Sequence, residues 1–213
     1  MHPSPASILV VEDIPNILEF LEMTLRFKGY RVISVRNGEE ALTAVAGELP
    51  SLVITDILMP KMDGYSLAYN LRREARTSLI PIIFLSATYV TPEDKKFAMS
   101  LGAVRFLEKP VDTEEFLLTV AEVLTGSCSS LTPPMEKRQF LLGYRRRLEV
   151  KLQHKNSQIL RTERLLASLP EEQKPSFADL LSEARQQKEE IQAELNEIFR
   201  ELEDRREGAL HFT

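Results

Sequence analysis

A chain of 213 residues with 43% hydrophobic content lies between one large domain and two small ones, and it can bury at least one sizeable core. The formal net charge of −5 gives no long-range attraction for a polyanion, so nucleic-acid binding would need a local basic patch. A single cysteine, Cys128, excludes an intrachain disulfide and a metal cluster of cysteine spacing.

The first five residues, Met1 to Pro5, lack a charged segment followed by an apolar run, and no stretch approaches about 18 apolar residues. A soluble, cytoplasmic protein is expected. From Ser7 to Leu124 short β-branched runs alternate with helical patterns. Strands are predicted at Ile8 to Val11, Arg31 to Val35, Leu52 to Thr55, Ile82 to Leu85 and Val104 to Leu107. Several are apolar at almost every position, as strands buried on both faces should be. Helices are predicted between and after them, at Pro15 to Phe27, Gly38 to Ala46, Tyr65 to Arg73, Pro92 to Leu101 and Thr113 to Leu124. Five βα units imply an α/β fold with a doubly wound, five-stranded parallel sheet.

After Leu124 the composition changes to Thr125-Gly126-Ser127-Cys128-Ser129-Ser130 and then Thr132-Pro133-Pro134, a connector with a stiff end. The predicted domains are therefore 7–124, a linker at 125–134, and a two-helix coiled-coil region at 135–207. Leu169 to Pro175 separates the two helices. The second is expected to start at Ser176, which with Asp179 resembles a capping box, while Pro175 stops the preceding segment. Its seam reads Phe177, Ala184, Ile191 and Ile198 in one register and Leu181, Leu195 and Leu202 in the other, with Lys188 the polar exception. The first helix carries a weaker seam of Leu141, Leu148, Leu152, Ile159, Leu166 and Leu169, interrupted by Lys155 and Thr162. From Glu136 to Pro170 nine Lys/Arg stand against three Asp/Glu, a balance of +6, and from Glu171 to Glu207 six stand against twelve, a balance of −6. Opposite signs favour pairing of the helices, within a chain or between chains.

In a parallel sheet of this kind the site lies at the carboxyl ends of the strands. Glu12 and Asp13 follow the first strand, Asp56 ends the third, Ser86 ends the fourth and Lys109 follows the fifth. Three acidic side chains brought together repel unless a cation sits among them, and oxygen-only ligands suit Mg²⁺. A carboxylate can attack phosphorus when a metal and a fixed cation neutralise the transferring oxygens. Lys109 can be that cation, with Ser86 as a neutral donor.

These residues carry a resemblance. Val10-Val11-Glu12-Asp13, the run Asp56-Ile57-Leu58-Met59-Pro60-Lys61-Met62-Asp63-Gly64, Ser86-Ala87 and Lys109-Pro110 together resemble the receiver domain of two-component response regulators, over residues 7 to 124. The resemblance implies the flavodoxin-like receiver fold, with Asp56 accepting a phosphoryl group from the phosphohistidine of a histidine kinase or phosphotransfer protein. It implies Mg²⁺ held by Asp13 with help from Glu12, by Asp56, and by the backbone carbonyl of Leu58. Ser86 and Lys109 would turn toward the acylphosphate, Phe106 would swing inward as a switch, Lys109-Pro110 would be cis, and Leu58 and Thr88 would influence phosphoryl lifetime.

The expected function is a response regulator signalling through a coiled-coil tail that forms a homodimer or docks a downstream protein, with no separate enzymatic output beyond slow self-dephosphorylation. The alternative is a phosphorylation-controlled nucleic-acid binder using the basic first tail helix and its Arg145-Arg146-Arg147 run. A phosphotransfer role for His154 is a third reading, although its surroundings, Leu152 to Ser157, resemble no phosphotransfer motif. Helix-turn-helix and glycine-rich phosphate-binding patterns are absent after residue 124. The partner kinase, the input signal and the downstream target are not encoded in any motif.

Overall fold

A computed structural model describes residues 6–86, 91–126 and 133–210, with side chains through 203. Thr88 and Cys128 lie outside the described residues. The chain divides into two compact units that part between Met135 and Glu136.

The first unit alternates β1 (Ser7–Val11), α1 (Pro15–Phe27), β2 (Arg31–Val35), α2 (Gly38–Gly47), β3 (Leu52–Asp56), α3 (Gly64–Arg73), β4 (Ile82–Ser86), α4 (Pro92–Ser100), β5 (Arg105–Glu108) and α5 (Thr113–Leu124). The strands are all parallel, in the order β2-β1-β3-β4-β5. Every residue of β1, β3 and β4 is buried, because helices cover both faces of the sheet. The outer strands β2 and β5 are only partly buried, as edge positions dictate.

One face packs Ile8, Val10, Ile54, Ile83 and Leu85 against Leu21 and Leu25 of α1 and Phe116 and Val120 of α5. On the other face Tyr65 of α3 lies 5.6 Å from Phe84 and 5.1 Å from Phe97 of α4, ring centroid to centroid. Side-chain caps set several helix starts: Asn37 accepts from the Glu40 N–H, Asp63 from Ser66, Asp112 from Glu115, and Thr91 and Asp94 form a full capping box. At α1 Pro15 in the first turn replaces a side-chain cap.

Arg72, near the end of α3, is buried with 6% exposure. Its guanidinium donates to the Ile80 carbonyl at 2.8 Å and to the Gly102 carbonyl at 2.7 Å. Burial pushes it down to about 10. Gly102, at φ +86°, is required here twice over, since a Cβ would stand 2.5 Å from Arg72 Nε.

The second unit pairs α6 (Lys137–Ser168) with α7 (Lys174–Leu210) across a single 3₁₀ turn, Glu171–Gln173. The heptad seam of α7 is the face it buries: Ala184, Ile191, Leu195 and Ile198 are buried, and Phe177, Leu181, Lys188 and Leu202 are half-buried. From α6 come Leu141, Tyr144, Leu148 and Ile159. The hairpin thus closes within one chain. Flanking pairs join the helices: Lys137 of α6 with Glu201 of α7 at 2.5 Å, Tyr144 Oη of α6 donating to Glu194 of α7 at 2.5 Å, and, in the opposite sense, Arg185 of α7 with Glu163 of α6 at 2.7 Å. The start expected at Ser176 is corrected: α7 begins at Lys174, so Ser176 is already helical. Pro175 falls in the first turn, where its missing N–H has no helical partner to lose, and so it opens the helix instead of blocking it.

Candidate functional site

Parallel register brings the strand ends level. Val11 is opposite Thr55, Asp56 opposite Leu85, and Ser86 opposite Glu108. The order of strands reverses between β1 and β3, which opens a crevice at their carboxyl ends. Glu12 and Asp13 leave β1 on one side of it and Asp56 closes β3 on the other. Glu12 is fully buried, Asp56 is 6% exposed, Ser86 is buried, and Asp13 is half-buried at the rim.

Lys109 reaches this crevice from the far end of β5. Its Nζ donates to Asp56 Oδ1 at 2.5 Å and to Glu12 Oε2 at 2.6 Å. Its own backbone N–H donates to the Ser86 carbonyl at 2.6 Å, and the Lys109-Pro110 peptide is cis. Burial alone would lower the ammonium, but the adjacent Asp56 and Glu12 carboxylates outweigh it and hold Lys109 above the ordinary lysine value. Burial raises Glu12, and the Asp56 charge adds to this, against the opposing hydrogen bond from Lys109. Lys109 therefore stands as a charged partner directly on Asp56.

The loop after Asp56 turns back on it. The Leu58 N–H donates to Asp56 Oδ2 at 2.8 Å, while the Leu58 side chain points outward and is half exposed. Gly64 opens α3 directly against the strand end, where a Cβ would stand 2.2 Å from the Asp56 carbonyl oxygen. Asp63 caps α3 through Ser66 at 2.9 Å. Phe106, facing Phe84 across the β4–β5 pair, is half-buried, with Lys95 Nζ 6.0 Å above its ring.

Among the described residues no three His, Cys, Asp or Glu side chains gather closely enough to cage a metal unaided. Mg²⁺ needs no such cage, because it keeps several waters and binds through one or two carboxylates plus phosphate oxygens. Asp13 and Asp56, hard oxygen donors at the two lips of the crevice, fit it. Glu12 is more committed than expected: Oε2 accepts from Lys109 and Oε1 from the Ile14 N–H at 3.3 Å. His154 is exposed on α6, and Arg145 pairs with Glu149 of its own helix at 3.3 Å and stacks 5.4 Å over Phe199 of α7. Two features of the receiver unit escaped sequence reasoning: the buried Arg72, which ties α3 to the entries of β4 and β5 at the opposite edge of the sheet, and the hydrogen bond from the Gly38 N–H of α2 to the Met62 carbonyl in the loop after Asp56. An arginine on an amphipathic helix carries no signal of burial.

The model of the response regulator receiver domain matches residues 8–121. The chain is 40% identical over 124 residues to the "Probable transcriptional regulator ycf27" of Pyropia yezoensis, a match of 58% of this chain and 49% of that protein. It is 36% identical to Protein PilH of Pseudomonas aeruginosa over 57% of this chain and 99% of PilH. The signal receiver domain of a signal transduction histidine kinase from Syntrophus aciditrophicus has a similar structure, with TM-score 0.53 and 36% identity over 57% of this chain and 91% of that one. The chain spans about half the length of the ycf27 relatives it matches. The family match ends at residue 121, before α6 begins. With more than half of its residues matched by the family model, this chain belongs to the response regulator receiver family of two-component signalling.

Proposed function

We propose that the protein is a phosphorylation switch in which Asp56 accepts a phosphoryl group from a phosphohistidine of a histidine kinase or phosphotransfer protein. The observation that carries this is the Lys109 ammonium, held between Glu12 and Asp56 where the sheet order reverses. An Asp56 carboxylate oxygen attacks phosphorus, the O–P bond forms as the P–N bond to the donor imidazole breaks, and the imidazole leaves with the bonding pair. Lys109 and the Leu58 N–H already stand on the two Asp56 oxygens and orient the carboxylate for attack. Asp13, Asp56 and the Leu58 carbonyl would hold Mg²⁺, which when bound neutralises phosphoryl oxygens. Ser86 and Lys109 then meet the acylphosphate, and Phe106 follows Ser86 inward, changing the surface of α4, β5 and α5.

In this reading residues 7–124 are the receiver, 125–134 the connector and 135–207 the output hairpin, in a cytoplasmic protein; among the described residues no helix is long and apolar enough to cross a membrane. The hairpin docks a downstream protein, and a homodimer through its seam requires the two arms to exchange between chains. A nucleic-acid role has weaker support, because Lys137, Arg145 and Lys155 of the basic helix are engaged with their own hairpin.

The test is labelling of the full chain by a small phosphoryl donor with Mg²⁺. Wild type should gain one alkali-labile phosphoryl group and Asp56→Asn none; labelling of Asp56→Asn at the wild-type rate would refute the assignment. Mass in solution and duplex-DNA binding, each with and without phosphorylation, separate the output readings.

A further inference from the structure

The loop that carries Leu58 to Asp56 is held from outside the site by the N-terminus of α2. The Gly38 N–H donates to the Met62 carbonyl at 2.9 Å. The approach leaves no room for a side chain: a Cβ on Gly38 would stand 2.6 Å from Met62 Cγ and 2.9 Å from the Met62 carbonyl oxygen. The methionine side chain could yield, but the carbonyl is backbone, so a methyl group there must push the loop itself.

Gly38 is in turn fixed by a closed set of hydrogen bonds. Asn37, 3% exposed, accepts from the Glu40 N–H at 3.0 Å and donates through Nδ2 to Glu40 Oε1 at 2.7 Å. Glu40 Oε2 accepts from the Arg36 N–H at 3.0 Å. The chain of contacts therefore runs from this cap through Gly38 to Met62. Directly after Met62 the same loop is anchored by Asp63, which caps α3, and by Gly64 against the Asp56 carbonyl. Between Asp56 and Met62 lie Leu58, whose N–H binds Asp56 Oδ2, and Lys61, held at φ +65° where a non-glycine residue needs support from its surroundings.

The geometry points to Asn37 and Gly38 as positioning residues for phosphoryl transfer: they hold the Asp56–Gly64 loop at the depth at which Leu58 meets the acceptor carboxylate. This rests on Asp56 being the acceptor. Neither residue touches the reacting atoms, and both act through Met62. A displacement of the loop by a few tenths of an ångström to 1 Å is the range in which misplacement of a reacting group slows transfer by about tenfold to a hundredfold.

The experiment measures labelling of the full chain by acetyl phosphate with Mg²⁺ for wild type, Gly38→Ala, Asn37→Ala, the double variant Gly38→Ala/Met62→Ala, and Val32→Ala as a core-destabilised control. Gly38→Ala should lower the limiting rate about tenfold while the half-saturating acetyl phosphate concentration stays near wild type. Removing Cγ and Sδ in the double variant should recover part of that loss. Asn37→Ala, which adds no volume, should lower the limiting rate less, and it decides the matter if Gly38→Ala does not fold. Val32→Ala should lose stability and keep its rate. Folded Gly38→Ala and Asn37→Ala labelling at the wild-type rate, or slowing only as Val32→Ala does, would overturn the brace while leaving the acceptor assignment intact. A wild-type chain that takes no label at Asp56 would overturn that assignment and the brace with it.

Discussion

Replacing Arg72 by Met keeps most of the aliphatic stem and deletes the guanidinium, which makes it a clean test of how the receiver unit holds α3 in place. The Ile80 carbonyl precedes β4 and the Gly102 carbonyl precedes β5, so one side chain ties the end of α3 to the entries of two strands. Each orphaned buried carbonyl costs about 1–3 kcal/mol. Against this, the variant removes a cation that burial has pushed down to about 10, and releasing it returns about 3 kcal/mol of desolvation at most. The variant also leaves a pocket beside Gly102 that methionine fills incompletely, a further penalty of about 1 kcal/mol. The balance is a loss of about 1–3 kcal/mol, and Arg72→Lys, able to reach one carbonyl but not both, should fall between. Urea titration read by amide hydrogen exchange in β4 and β5 isolates the receiver from the hairpin. An Arg72→Met protein as stable as wild type in those strands would refute the reasoning, because the two carbonyls would then have no need of the donor.

Four further outcomes are expected. Lys109→Met leaves Glu12 and Asp56 facing each other without a cation, so the receiver should lose about 3 kcal/mol or more near neutral pH and label far more slowly; urea melts and acetyl phosphate labelling check both. Lys155, at a half-buried seam position, is held below the ordinary lysine value by burial and by Lys151. Its charged form therefore opposes folding, hairpin stability should rise as pH increases from the folded value toward 10.5, and Lys155→Leu should remove that slope and add about 1 kcal/mol in thermal melts followed by helix content. Glu40 is held below the ordinary carboxylate value chiefly by the Arg36 N–H. Its contribution is thus present above about pH 4.5 and lost as pH falls through the folded value, which should appear as a falling protection of the Arg36 amide, relative to its intrinsic exchange rate, in acid. On α1, which starts at the rim of the crevice, Phe20, Met23 and Phe27 form an exposed apolar stripe. Met23→Glu should slow transfer from a cognate kinase several-fold and leave labelling by acetyl phosphate unchanged, and equal slowing with both donors would refute a docking role.

The sequence reveals the sheet because buried parallel strands such as Ile8 to Val11 and Ile82 to Leu85 leave no polar position to confuse the pattern. It reveals Glu12, Asp13, Asp56, Ser86 and Lys109 as one set because each is the first or second polar residue after an apolar run, and parallel pairing must bring such residues to one edge. Direction was less legible than proximity. Nothing in the pattern says that Lys109 reaches Glu12 as well as Asp56, since both contacts span a fold rather than a helix turn. The same holds for Arg72, whose acceptors lie eight and thirty residues away, and for Gly38, which reads as an ordinary helix start until Met62 is placed against it. Pro175 reads as a stop in the local sequence and stands in a helix start in the structure, because proline ends a helix when it lies within one and begins a helix when it lies in the first turn.

The closed hairpin carries a consequence for concentration. The contacts that join Lys137 to Glu201 and Tyr144 to Glu194 within one chain would be the same contacts if α7 came from another molecule. What favours self-closure is only the short 3₁₀ turn at Glu171–Gln173, which keeps each α7 at a local concentration on the order of millimolar around its own α6. A change that straightens this turn into continuous helix would remove that advantage without altering a single seam residue, and would favour exchange of α7 between two chains at far lower protein concentration.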